Sequence, residues 1–277
     1  MIQIIKSTGE KEEFRKDKIK ATCLRVGTSP EVADRIAAEV EARARGGMTT
    51  KEIYALVFDM LKKESPGLAS RYNLREALFR LGPAGFNFEF YIAEMLKAYG
   101  YKTELPEILK GACITHEVDV IAEKDNRKMM IECKWRISVD IFITAKDVLA
   151  TWARFLDLVD GAAIKLCPHF DDLWVITNSR FSHDAAQYAQ CKNIALLSWN
   201  YPPDRPLPAW IDAKGLYPVT VLFKLGSELI PKFAAARILL LQDLVNLPLD
   251  ELKSRTKLSE KELMPLIEEA KGVLTIH

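Results

Sequence analysis

Apolar positions along this chain follow two periods, and the changes of period divide it. Residues 2–6 and 12–14 form short apolar-polar runs about Ser7-Thr8-Gly9-Glu10, which predicts a small hairpin. Helical spacing then takes over. Ile19, Leu24 and Val26 mark a helix over 16–26, broken at Gly27. Ser29 with Pro30 behind it starts a second, whose Val32, Ile36, Ala37 and Val40 share a face as far as Gly46-Gly47. Thr49 or Thr50 caps a third, carrying Ile53, Leu56, Val57, Met60 and Leu61. After the Pro66-Gly67 break, a fourth spans about 68–81.

Two glycines and a proline at 82–85 mark a domain boundary. The helix predicted over 86–99 has Phe88, Ile92, Leu96 and Tyr99 on one stripe. Glu89 stands beside that stripe in the first turn, where the helix dipole alone favours an acid. Two strands follow, 118–122 and 129–133, joined by the polar turn 124–127. A helix over 144–158, a buried strand 173–177, a helix 182–191 and a strand 194–198 complete an alternating series. That alternation predicts an α/β domain with a mixed sheet covered on both faces. The proline-rich stretch 201–208 reads as a semi-rigid linker. Helices over 235–247, 248–255 and 259–274 end the chain, the last opened by the capping box Ser259-x-x-Glu262. The expected organisation is multidomain: an α-rich domain with a hairpin over 1–82, an α/β domain over 83–200, and a linker with helices over 201–277.

The sharpest chemistry lies on the strand pair. Glu132 and Lys134 are two apart and share a strand face, and Asp119 lies near them if the hairpin is in register. Two carboxylates converging beside an ammonium group suit a divalent cation and an activated water. The same residues also suit a surface salt-bridge cluster. Met129, Met130 and Ile131 ahead of Glu132 point to a largely buried strand, where paired carboxylates are costly without a cation. His116, just outside the motif, reads as a turn residue. Lys146 on the following helix is a candidate phosphate contact.

Composition narrows this only in part. The 277 residues are 49% hydrophobic and 28% charged, ordinary for a globular protein. A net charge of +1 gives no global field for nucleic acid, so such binding would rest on a local basic face. No apolar run reaches the roughly 18 residues of a bilayer span. The start has no signal-peptide core, so no membrane and a cytoplasmic location are expected. Five cysteines without a CxxC pair read as reduced thiols.

The first 80 residues resemble the ATP-cone, a small regulatory nucleotide-binding domain. The matching positions are Ile5-Lys6, Gly9, Phe14, Asp17-Lys18-Ile19, Thr50-x-x-Ile53 and Tyr72. The resemblance implies ATP or dATP as ligand, with Lys6 and Lys18 on phosphates and Thr50 in the pocket; Ser7 stands where the family has a second basic residue. Taken by spacing alone, the two lysines read first as solvated surface residues. No GxxxxGK[ST] loop is present, so hydrolysis by this domain is not indicated.

The middle segment resembles the Mrr-like branch of the PD-(D/E)XK nucleases. Phe88-Glu89, Leu96, Gly100-Tyr101, Val118-Asp119-Val120, Ile131-Glu132-Cys133-Lys134 and Thr177 to Ser182 carry the match, followed by Ala185, Tyr188-Ala189, Ile194 and Leu196. The resemblance implies Mg²⁺ or Mn²⁺ held by Asp119, Glu132 and the Cys133 carbonyl. It implies Lys134 on the attacking water and scissile phosphate, and Glu89 as an outer-shell or second-metal residue. It also implies DNA as substrate. Residues 254–258 faintly resemble a helix-hairpin-helix turn, with Lys257-Leu258 in place of the usual glycine, and read equally as part of a plain helical packing or oligomerisation subdomain. The resulting expectation is a metal-dependent deoxyribonuclease, homo-oligomeric, tuned by nucleotide. The alternative is a nucleotide-responsive DNA-binding protein with a nuclease-like fold and no turnover.

Overall fold

The computed structural model describes residues 2–6, 8–82, 87–105, 107–138 and 140–276. Three expectations lie outside these: the Ser7 position, the break at 83–85, and the helix start at Phe86.

Strands β1 (Gln3–Ile5) and β2 (Lys11–Glu13) pair antiparallel, and helices α1 (Lys16–Arg25), α2 (Pro30–Arg43) and α3 (Thr50–Glu64) follow. Ser29 Oγ accepts from the Val32 amide at 3.3 Å, while Pro30 occupies a position that needs no N–H. Thr49 caps α3. Its hydroxyl accepts from the Glu52 amide at 3.2 Å, and the Glu52 carboxylate accepts from the Thr49 amide at 2.7 Å. The single helix expected over 68–81 is two, α4 (Pro66–Tyr72) and α5 (Leu74–Phe79). Asn73 sits between them and its side-chain oxygen takes the Tyr54 hydroxyl at 2.9 Å. Ile4, Cys23, Val26, Ile36, Val57 and Leu61 belong to the core that these elements enclose.

Next come α6 (Asn87–Ala98), β3 (Lys102–Glu104), β4 (Glu107–Lys110), β5 (Thr115–Val118), β6 (Val120–Lys124) and β7 (Arg127–Lys134). Then follow α7 (Ala145–Ala163), β8 (Asp172–Thr177), α8 (His183–Cys191), β9 (Ala195–Leu197) and α9 (Leu207–Lys214). The central sheet runs β3-β6-β7-β8-β9, antiparallel as far as β7 and parallel from β7 to β9. A separate ribbon pairs β4 with β5. Met130, Leu173 and Val175 join Val148, Phe155 and Leu158 of α7 and Ala185 and Ala189 of α8 in one core. The proline-rich stretch is a packed connector: Tyr201 lies edge-on to Phe181, and Leu207 and Pro208 are buried at the start of α9.

The helix expected over 235–247 is α10 (Ile230–Ala235) and α11 (Leu241–Asn246), with Arg237 at φ 53° between them. Helices α12 (Leu249–Thr256) and α13 (Glu260–Leu274) follow. Lys257 takes the left-handed conformation at φ 59°, the role a glycine has at most such helix ends. The chain packs as two compact units: residues up to Ala77 together with those from Val219 onward, and Leu78–Pro218. In the first, α13 crosses α4 so closely that a Cβ on Gly67 would meet the Gly272 carbonyl at 2.5 Å. Arg71 Nε donates across that crossing to the Val273 carbonyl at 3.0 Å. No helix among the described residues is long and apolar enough to cross a membrane.

Candidate functional site

The β6–β7 hairpin turns through Asp125 and Asn126, both at positive φ (52° and 59°), the geometry a tight two-residue hairpin turn demands. Its register pairs Val120 with Ile131. Asp119 is not inside a strand, unlike the expected 118–122 run. It occupies a bend where the chain leaves the β4–β5 ribbon and enters the central sheet. The bend aims its carboxylate at β7, and Oδ2 accepts from the Cys133 amide at 2.8 Å.

Glu132 and Lys134 share a face of β7, and Lys134 Nζ donates to Glu132 Oε1. Glu132 is 2% exposed. Its main partner was not among the sequence candidates: Arg154 Nη1, from α7, donates to both Glu132 oxygens at 2.8 Å. Arg154 Nη2 donates to the Glu117 carbonyl. The signal for Arg154 was present in the sequence, because position 154 flanks the buried stripe Thr151, Phe155 and Leu158 of the helix after the motif strand. Lys146 is exposed in the first turn of the same helix.

Glu89 stands half-buried in the first turn of α6, with a buried Oε2 that has no hydrogen-bond partner among the described residues. Burial, then the charges of Glu117 and Glu132, push its carboxyl upward. Burial and then Glu132 and Glu89 push Asp119 up to about 7, against the Cys133 amide and Lys134. The Cys133 thiol is buried and pushed well above its usual range by burial and by the same carboxylates. The three acids therefore feel one another across a poorly solvated space.

Among the described residues, no group of three or more His, Cys, Asp and Glu side chains is gathered at metal-holding distance. A magnesium ion asks for less: one or two carboxylates, with water and phosphate oxygens completing its shell. Asp119 and Glu132 are the two carboxylates here that could serve as such a pair, Glu132 with both oxygens already taken by Arg154.

His116 is a buried residue of β5 and not a turn residue. Its Nε2 lies 2.7 Å from Asp157 Oδ2, and Asp157 also accepts from the Cys113 amide at 2.8 Å. These bonds tie α7 to the β4–β5 ribbon, whose last residue, Val118, precedes Asp119.

In the first unit, a cavity of about 220 Å³ is lined by Lys18, Arg15 and Thr50, by the apolar and aromatic Ile4, Phe14, Ile19, Ile53, Tyr54 and Tyr72, and by the acids Glu12 and Glu13. Tyr54 and Tyr72 stack at 4.6 Å. Lys18 pairs with Glu12, which holds that carboxyl below its usual range. Lys6 is outside the cavity lining and pairs with Glu10 at 3.2 Å.

Comparison with known proteins agrees with this layout. The ATP cone domain model matches residues 2–76, and the restriction endonuclease model matches residues 83–200. An uncharacterized protein of Archaeoglobus fulgidus is 33% identical over 183 residues, covering 66% of this chain and 99% of its own length. The crystal structure of a protein of unknown function, AF1548, aligns with a TM-score of 0.59 at 32% identity, over 67% of this chain and 96% of that one. With an ATP cone domain matched at residues 2–76 and a restriction endonuclease domain matched at residues 83–200, this chain belongs to one family with the Archaeoglobus fulgidus protein.

Proposed function

We propose that this protein is a divalent-cation-dependent DNA endonuclease whose activity responds to ATP or dATP bound by its N-terminal domain. The observation that carries the reading is the placement of Asp119 and Glu132 beside Lys134, with Asp119 held by the Cys133 amide and pushed up to about 7 by burial and by Glu132 and Glu89. Arg154 and Lys134 already offset Glu132, whereas Asp119 has only the Cys133 amide and the Lys134 charge against burial and two neighbouring acids, a balance that a cation shared with Glu132 would relieve.

Asp119, Glu132 and the Cys133 carbonyl would hold Mg²⁺ or Mn²⁺. The bound ion supplies Lewis-acid polarisation of a phosphate oxygen and a water acidic enough to ionise near neutral pH. The chain's own groups do the rest. The Cys133 amide fixes the Asp119 carboxylate, and Lys134 orients the attacking water and offsets the charge that grows on the phosphate. Glu89, favoured in its protonated form by burial, is suited to accept or release a proton at its free oxygen.

In the first unit, Lys18 and Thr50 supply an ammonium group and a hydroxyl at one cavity, with apolar and aromatic walls suited to a base. Nucleotide occupancy then acts as a switch on oligomeric state or access of DNA, without hydrolysis at the cone. The reading is tested by incubating plasmid and branched DNA with Mg²⁺ or Mn²⁺ and comparing the wild type with Asp119→Ala and Lys134→Ala. Cleavage by the wild type alone supports it. DNA binding without cleavage in every condition would instead favour a nucleotide-responsive DNA-binding protein.

A further inference from the structure

Glu132 is nearly inaccessible to water, yet it faces two permanent or near-permanent cations. Arg154 Nη1 lies 2.8 Å from each of its oxygens, and Lys134 reaches Oε1. The second arm of the guanidinium, Nη2, holds the Glu117 carbonyl two residues before Asp119. Arg154 therefore bridges the two chain segments that bear the acids, from a helix outside the motif. Its own side chain is 28% exposed, so it has a route to solvent that Glu132, at 2%, lacks.

A buried carboxylate needs a counter-charge whether or not a metal is bound. In the protein alone, Arg154 and Lys134 provide it. A divalent ion on the same oxygens changes the balance, because two cations at contact distance of one carboxylate repel each other strongly in a poorly solvated site. Arginine cannot relieve this by losing a proton, since it stays charged at any ordinary pH. It has to move. Its planar donors match phosphate oxygens in pairs, and the reacting DNA brings phosphate to this place.

Resting on the nuclease reading above, we propose that Arg154 is an internal counter-cation that Glu132 exchanges for the divalent ion, and that the released guanidinium then holds a phosphate of the DNA. The competing role is a fixed brace, in which Arg154 keeps Glu132 in position with or without metal. The two roles predict opposite effects on metal affinity. An exchanging cation competes with the metal, whereas a brace assists it.

The test titrates the full chain with Mn²⁺, and separately with Ca²⁺, by calorimetry in the absence of DNA. Arg154→Met is expected to bind Mn²⁺ about tenfold more tightly than wild type, the scale of one charge-assisted hydrogen bond removed from competition. Arg154→Lys, which keeps the charge, is expected to stay near wild type. In Ca²⁺, Arg154→Met should bind duplex DNA more weakly than wild type. Equal or weaker Mn²⁺ affinity in a folded Arg154→Met protein would overturn the exchange in favour of the brace. A second measurement needs no variant: phenylglyoxal labelling of Arg154 in the wild type, read by peptide mass spectrometry. Mn²⁺ should raise the labelling rate, and duplex DNA added with Ca²⁺ should lower it again. No change on adding Mn²⁺ would overturn the proposal. If neither wild type nor Arg154→Met binds Mn²⁺, and Mn²⁺ supports no cleavage, the nuclease reading falls and the exchange with it. Binding by the variant where wild type shows none supports the exchange in its strongest form.

Discussion

Asp119 carries a carboxylate in a poorly solvated place beside two other acids. It accepts a single amide from Cys133, faces Glu132 and Glu89, and is held up at about 7 by burial before any neighbour. An aspartate in an unfolded chain titrates near 4. Between about pH 4 and pH 7 the metal-free folded protein therefore keeps a proton that the unfolded chain has lost. Stability falls as pH rises through that window, and the penalty is complete above it. Asp119→Asn, which still accepts the Cys133 amide, should be more stable than wild type at pH 7.5 without metal, by a few kcal/mol at most. The difference should vanish near pH 4, and Mn²⁺ should close it at pH 7.5 by stabilising only the wild type. Thermal unfolding of both proteins across pH checks this; a gap independent of pH would contradict it. Asp119, Glu132 and Lys134 could be found from strand spacing and the motif they complete. Arg154 could not be assigned its partner that way, because its contact with Glu132 spans 22 positions and depends on how α7 lies on the sheet.

Elements with regular spacing could be located in advance, and those without it could not. The α7 helix was expected to end near 158 but runs to Ala163. A glycine inside a helix reads as an end, yet Gly161 is there because a Cβ would meet the Gly111 backbone at 2.9 Å. The β4–β5 ribbon escaped notice for a different reason: Ile108 is exposed and His116 is buried, so its polarity does not follow its pleat. Strand β3 is three residues, Lys102-Thr103-Glu104, too short and polar to leave a pattern. Close helix crossing has a similar signature in the first unit, where Gly67 of α4 meets Gly272 of α13. Gly67→Ala should cost about 1–3 kcal/mol, the usual cost of overpacking a tight contact, because the obstructing atom is backbone. Chemical denaturation measures it; an unchanged midpoint would mean that the crossing is looser than its geometry.

For the whole molecule, sequence order and packing divide the chain differently. Motifs separate residues 2–76 from 83–200, while packing returns everything from Val219 onward to the unit that contains the cone. Such a return depends on long-range contacts such as Arg71 with the Val273 carbonyl, which no local pattern encodes. The cone cavity offers a direct check on nucleotide binding. Lys18→Ala should weaken ATP affinity about tenfold, as expected for loss of one charge-assisted phosphate contact, while Lys6→Ala, outside the lining, should change it less. Calorimetric titration with ATP and dATP compares them, and equal affinities in all three proteins would remove the nucleotide from that cavity. The proposed cleavage chemistry belongs to the second unit. Its most direct test is the single-turnover rate of phosphodiester cleavage in Mg²⁺ by wild type and by Lys134→Ala at equal DNA occupancy. Cleavage by the wild type, abolished by EDTA, is expected, with a rate lower by a factor on the order of 100 or more in the variant. Equal rates in the two proteins, or no cleavage by the wild type on DNA it demonstrably binds, would contradict it.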